Sequence, residues 1–271
     1  MKAVLKNWMV AVALAVSCLL FLALTYFAYS HAAQTAAAQT APRTQILLDA
    51  GHGGEDGGTK GYSELPEKDI NLDIALRLQR LLEEQGCEVL MTRTKDVSLA
   101  EEGLSTVHER KVSDLQKRLE LLQAHPGCLF VSIHQNHFSE SIYSGAQVFY
   151  SPNHPQSQRL AEAVHNAIVS SLQPDNHRQN KPADQSIYLL WHAQTPAILV
   201  ECGFLSNVSE AAQLNEAAYR QKMAQSIAQG ILQYIQQAEN TQSQASPSSW
   251  PAVSSSLRFS MDTDIIKRAY V

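Results

Sequence analysis

The sequence predicts an α/β fold, an open, mostly parallel or mixed sheet with helices on both faces in three layers. Two observations carry this. Short apolar runs of strand length alternate with longer stretches whose apolar residues recur every three or four positions. Breakers stand where those longer stretches should end, at Gly86 and at His125-Pro126-Gly127. A β-α-β-α-β alternation of this kind argues for helices packed on both sides of a sheet.

Residues 8–29 form an almost unbroken apolar run of 22 residues, about 33 Å as a helix and enough for a bilayer core. Lys2 and Lys6 precede it and no charge follows until Arg43, so the N-terminus should stay in the cytoplasm and the rest be exported. Residues 1–33 are accordingly a signal anchor or a signal peptide. The length of the run favours the anchor, while Ser30-His31-Ala32 and Ala36-Ala37-Ala38 are the small-residue cleavage sites of the other reading. Residues 34–44, Ala, Gln and Thr with one Pro-Arg, make a linker.

The body runs from 45 to 237. Residues 45–49 form a short buried strand. A helix over 68–85 shows Ile70, Ile74, Leu78, Leu81 and Leu82 on one stripe, and Gly86 caps it. A strand follows over 87–92, and 97–108 is a loop. Residues 111–124 are helical, with Leu115, Leu119 and Leu122 on one face. Strands are expected over 128–133 and 145–150, a helix over 157–172, and strands over 186–191 and 197–200. Asn207 should cap a helix, with Glu210 completing a capping box. The last helix, 216–237, carries Met223, Ile227, Ile231 and Ile235 in register. Residues 238–271 read as a disordered tail.

Lys plus Arg number 21 and Asp plus Glu 26, for a net charge of −5. Residues 45–240 hold 15 basic against 24 acidic residues, or −9. That acidic balance excludes the usual nucleic-acid binder, so no nucleic-acid partner is expected. Cys18 lies in the apolar run. Cys87, Cys128 and Cys202 are odd in number, lack metal-type spacing and sit by apolar strands, so buried thiols are expected.

Polar groups follow three of the strands directly. Residues 45–49 run into Ala50-Gly51-His52-Gly53-Gly54, 128–133 into His134-Gln135-Asn136-His137, and 197–200 into Glu201-Cys202-Gly203. Open α/β sheets place their sites outside the carboxyl ends of parallel strands, so His52, His134 and Glu201 should meet on one rim. Two imidazoles and a carboxylate suit zinc. A further ligand is available in Glu64-Leu65-Pro66-Glu67. Pro66 suits a first helical turn and puts Glu67 at the helix start, where the positive helix end keeps a carboxylate ionised. The glycines from 51 to 61 let the backbone wind tightly there. A phosphate loop is the competing reading, but the Gly-Lys-Ser/Thr ending is absent. His137 is the nearest rival ligand, and strand alternation turns it away from the side of its neighbour.

Five segments together resemble the zinc-dependent N-acetylmuramoyl-L-alanine amidases of type 3. They are Leu48-Asp-Ala-Gly-His-Gly-Gly54, Glu67-Lys-Asp-Ile-Asn-Leu72, Thr92-Arg93, Ser132-Ile-His-Gln-Asn136 and Leu199-Val-Glu-Cys-Gly-Phe-Leu-Ser-Asn207. Residues 145–150 and Cys202 bring the sequence nearest the germination-specific, spore-cortex subgroup. The resemblance implies that His52, Glu67 and His134 bind Zn2+ and that Glu201 is the catalytic carboxylate, and so selects Glu67 over Glu64. Asn136 and Arg93 are both candidates to bind substrate or to brace the site; Asn136 is the candidate substrate-binding residue, and for Arg93 the structural role is favoured. Ala50 stands where Pro is commoner, and Gln135 and His137 where smaller residues are usual; no matched ligand is lost. The implied reaction is hydrolysis of the amide joining N-acetylmuramic acid to L-alanine, with stem-peptide removal from spore cortex on the way to muramic δ-lactam. Expected partners are peptidoglycan, the membrane if the N-terminal segment stays uncleaved, and an activating protein. The alternatives are another cell-wall zinc hydrolase, a peptidase or deacetylase, or a non-catalytic wall-binding module.

Overall fold

In the computed structural model, the described residues are 8–9, 14, 16–30 and 43–244. The chain falls into two units, 1–43 and 44–271. In the first, 16–30 are helical and side chains such as Leu19, Phe21 and Phe27 are exposed. Among the described residues no helix is long and apolar enough to cross a membrane. The expected tail at 245–271 and most of the linker lie outside the described residues.

The second unit holds strands β1 (Gln45–Ala50), β2 (Glu88–Met91), β3 (Leu129–Asn136), β4 (Gln147–Tyr150), β5 (Lys181–Pro182) and β6 (Ala197–Phe204). They form one sheet in the order β2-β1-β3-β6-β4-β5. β1 pairs in parallel with β2 and β3, and β3 with β6, while β4 runs antiparallel to β6. The sheet is therefore mixed, with a parallel centre as expected.

The helices are α1 (Glu67–Glu84), α2 (Val107–Ala124), α3 (Pro155–Ser171), α4 (Tyr188–His192), α5 (Val208–Asn215) and α6 (Ala217–Gln244). Strand alternation sends Ile46, Leu48, Val131, Ile133, Ile198 and Val200 to one face, where they meet Ile70, Ile74 and Leu78 of α1, Val164 and Ile168 of α3 and Ile227 of α6. Leu47, Phe130 and Ala197 point to the other face and meet Leu119 and Leu122 of α2 and Leu190 of α4. Both faces are thus covered, which is why the central strands read as continuous apolar runs. Cys87, Cys128 and Cys202 are free and buried.

Three expectations change. Residues 186–191 are not a strand: 188–192 form the one-turn helix α4, burying Leu189 and Leu190. A short apolar run has no periodicity to separate the two states. The last helix continues to Gln244, so 238–244 are helical and not disordered. Asn207 does cap α5, accepting from the Ser209 and Glu210 amides. The Glu210 carboxylate, however, takes the amides of Phe204 (2.8 Å) and Gly145 (2.9 Å) instead of closing a box. The box stands at the start of α2, between Thr106 and Glu109.

Candidate active site

The parallel strands β1, β3 and β6 end on the same rim, and each delivers its polar residue there. After β1 the chain turns at once. The Gly51 amide donates to the Ile133 carbonyl at 3.1 Å, and His52 takes φ +62°, a left-handed conformation unusual for a side-chain-bearing residue. His134, on β3, lays its ring against Gly51 so closely that a Cβ there would collide with it. The two imidazoles meet edge to face with centroids 4.9 Å apart.

Glu67 is the first residue of α1 and is buried. Its Oε1 lies 3.2 Å from His52 Nε2 and 3.0 Å from His134 Nδ1. The same oxygen accepts from the Gln135 amide (3.0 Å) and from Asn71 Nδ2 (3.3 Å), and Oε2 accepts from the Thr59 amide (2.9 Å). One ligand atom each from His52, Glu67 and His134 falls within 4.8 Å of the others. His52 is also held from behind, its Nδ1 2.8 Å from Asp56 Oδ2, and Asp56 in turn faces Lys111 Nζ at 3.2 Å.

Glu201 pairs in register with His134 across β3 and β6. The residue keeps some surface, yet its Oε2 is sealed from solvent with no hydrogen-bond partner. An orphaned buried carboxylate oxygen beside three converging donors is an unfinished arrangement. Two imidazole nitrogens and a carboxylate oxygen, with the back of one imidazole fixed by a carboxylate, suit a divalent ion that accepts nitrogen and oxygen ligands.

The electrostatics separate the groups. Burial disfavours an ionised Glu67, but the histidines bonded to it outweigh this and hold its carboxyl far below the usual range. Burial also opposes charge on His52, and its bonds to Asp56 and Glu67 overcome that, raising it to about 9. Burial pushes Glu201 up to about 7, with the Glu67 charge adding to the rise and His134, His52 and Arg178 opposing it.

The other candidates fall as follows. Asn136 is half-buried at the end of β3, its carbonyl accepting from the Leu205 amide at 2.9 Å. Glu64 and His137 are exposed and lie outside the ligand cluster. Arg93 is buried and braces the rim, donating to the carbonyls of Ala50 (2.8 Å), Gly51 (3.0 Å) and Lys68 (2.8 Å). Sequence reasoning missed Asp56, Asn71 and Arg118. The spacing of four between His52 and Asp56 was the one available signal, and it becomes a contact only through the glycine-rich turn.

A family model for N-acetylmuramoyl-L-alanine amidases matches residues 46–233. The chain is 40% identical over 190 residues to the germination-specific N-acetylmuramoyl-L-alanine amidase of Bacillus subtilis, covering 70% of this chain and 79% of that one. The structure of the CwlD amidase of Clostridioides difficile, in complex with the GerS lipoprotein, is 39% identical with a TM-score of 0.69, over 72% of this chain and 99% of that one. An N-acetylmuramoyl-L-alanine amidase structure from Clostridium difficile 630 is 30% identical with a TM-score of 0.62, over 72% and 97%. With the family model running from Ile46 through every strand end that forms the rim, the chain belongs to the N-acetylmuramoyl-L-alanine amidase family, enzymes of peptidoglycan.

Proposed function

We propose that this amidase is zinc-dependent, that His52, Glu67 and His134 hold the ion, and that Glu201 is the catalytic carboxylate. The observation that carries this is the convergence of three ligand atoms within 4.8 Å beside a carboxylate of opposite character. When bound, the ion supplies Lewis-acid polarisation of the amide carbonyl and acidifies a neighbouring water. Glu201, poised near neutrality, accepts a proton from the attacking water as its oxygen bonds the lactyl carbonyl carbon. It then gives that proton to the L-alanine nitrogen as the C–N bond breaks. The products are a free lactyl carboxyl on muramic acid and an intact stem peptide with a free amine. Asn136, at the end of the same strand as His134, is the proposed substrate contact.

The name of the Bacillus subtilis relative supports spore-cortex peptidoglycan as the substrate, and so stem-peptide removal before δ-lactam formation. The complex formed by the Clostridioides difficile relative supports an activating protein partner. We assign 45–237 to the catalytic domain, acting outside the cytoplasm, with 1–33 as signal anchor or signal peptide, 34–44 as linker and the C-terminal residues as a tail. Mass spectrometry of digested cortex and vegetative peptidoglycan tests the reaction. Release of intact stem peptides with a free N-terminal amine, leaving muramic acid with its lactyl carboxyl, is expected. Cleavage within the peptide, or loss of acetyl groups alone, would assign the chain a different wall chemistry.

A further inference from the structure

The turn after β1 exposes three consecutive carbonyls to the interior, and each is captured. Ala50 O accepts from Arg93 Nε at 2.8 Å and from Arg118 Nη1 at 2.9 Å. Gly51 O accepts from Arg93 Nη2 at 3.0 Å and from Asn71 Nδ2 at 3.2 Å. His52 O accepts from Arg118 Nη2 at 2.7 Å. Both guanidinium groups are buried, with Arg93 3% and Arg118 2% exposed. We propose that Arg93 and Arg118 are positioning residues that hold His52 in its left-handed conformation and so set the affinity of the site for its metal ion. This inference rests on the reading of His52, Glu67 and His134 as ligands.

The reason lies in where the three ligands come from. His52 sits on a turn, Glu67 on a helix start and His134 on a strand, so each segment must be fixed relative to the others before an ion arrives. A left-handed conformation is strained for a residue with a Cβ, and without support His52 would relax out of it. Arg93 links two of the segments with one nitrogen: Nη2 donates both to Gly51 O, beside His52, and to Lys68 O, beside Glu67. Arg118 links the turn to the third segment. It grips His52 O while Nη1 pairs with Asp49 Oδ1 at 2.5 Å, and Asp49 Oδ2 accepts from Ser132 Oγ at 2.6 Å, two residues before His134 on β3. Asp114, one turn back on α2, takes Arg118 Nε at 2.6 Å. The planar fork of arginine is suited to this: a lysine ammonium reaches single carbonyls but cannot span the same set in one plane.

The test measures Zn2+ affinity of the full chain by competition with a chromophoric chelator, with thermal melting of the metal-free protein alongside. Arg93→Gln removes the link between the turn and α1. Arg118→Met combined with Asp49→Asn removes the grip on His52 and neutralises the fully buried partner of the arginine, while the part-buried Asp114 keeps Ser98 Oγ and the Leu99 amide as donors. Each should bind zinc about tenfold to a hundredfold more weakly, the range for groups that orient metal ligands. The metal-free far- and near-ultraviolet spectra should match the wild type, and Arg93→Lys should recover part of the lost affinity. Zinc affinity within twofold of wild type in Arg93→Gln would overturn the proposal. So would a loss of affinity matched by a lost near-ultraviolet spectrum, since the arginines would then only hold the fold. Should the double variant fail to fold, Arg93→Gln and Arg93→Lys decide alone. A wild-type chain that binds no zinc would instead refute the ligand reading, a result that does not resemble a selective loss of affinity in the variants.

Discussion

Glu67 and Glu201 are both carboxylates on one rim, yet their surroundings are opposite. Glu67 stands at a helix start among five donors: the amides of Thr59 and Gln135, the side-chain amide of Asn71 and the two histidines. Glu201 ends in a strand register, with Oε2 bonded to nothing. The first environment holds negative charge so firmly that Glu67 is fit to ligate and unfit to carry a proton. The second pushes Glu201 to about 7, where a carboxyl can take up and release a proton near neutral pH. Two carboxylates driven apart in this way fit the proposed roles, Glu67 as ligand and Glu201 as proton carrier.

The largest break of this contrast is Glu201→Gln, which should lower muropeptide turnover by about 10²- to 10⁴-fold, the range for a lost general acid–base group. In the wild type, kcat/KM should fall on the acid side as Glu201 becomes protonated, because it must be ionised to accept a proton. The bound cation should set that limb below the value of the metal-free protein. An acid limb that persisted unchanged in the residual activity of Glu201→Gln would remove Glu201 from that role. Glu67→Gln comes next. It should weaken zinc binding by more than about a hundredfold, beyond what losing an orienting group costs, as equilibrium dialysis would show.

Stability should respond to Glu201 in the reverse sense from activity. Its folded pKa is raised above the free value of 4.5, so its contribution favours the fold fully below that value and is lost as pH rises through about 7. Above pH 7, Glu201→Gln should therefore stabilise the metal-free protein by up to about 3 kcal/mol, at 1.36 kcal/mol for each unit of pKa. Denaturant titration at pH 5 and pH 8 measures the difference. Asp56→Asn loosens His52 from behind and should weaken zinc binding about tenfold to a hundredfold, readable by chelator competition. At the small end, Glu64→Gln and His137→Ala alter exposed groups outside the cluster. Each should leave stability within about 0.5 kcal/mol and zinc content unchanged; a loss of zinc in His137→Ala would redraw the ligand set.

Much of the rim was legible because it depends on local patterns. Strand-length apolar runs ending in His, His and Glu needed only parallel pairing to converge, and β1, β3 and β6 pair that way. Pro66 and Gly86 marked the ends of α1 because each acts through its own backbone. What was hidden depends on tertiary placement. Arg118 follows Asp114 by four on α2, a spacing that normally marks a surface pair, yet packing under β1 buries it to 2%. Asp56 looks like one more polar residue in a glycine-rich turn until His52 folds back over it. Glu210 has the spacing of a capping box, but the Asn207 amide donates to the Phe204 carbonyl, and the Glu210 carboxylate takes the amides of Phe204 and Gly145. At 188–192 the run Tyr-Leu-Leu-Trp-His is too short to show a period, so burial against α2 decides its form.

The division of labour between the two carboxylates is tested most directly by purifying Glu201→Gln and Glu67→Gln side by side and measuring zinc content and muropeptide cleavage in the same preparations. Glu201→Gln should retain a full complement of zinc and cleave almost nothing, while Glu67→Gln should come out depleted of metal. A Glu201→Gln protein that lost its zinc, or that cleaved at the wild-type rate, would contradict the assignment.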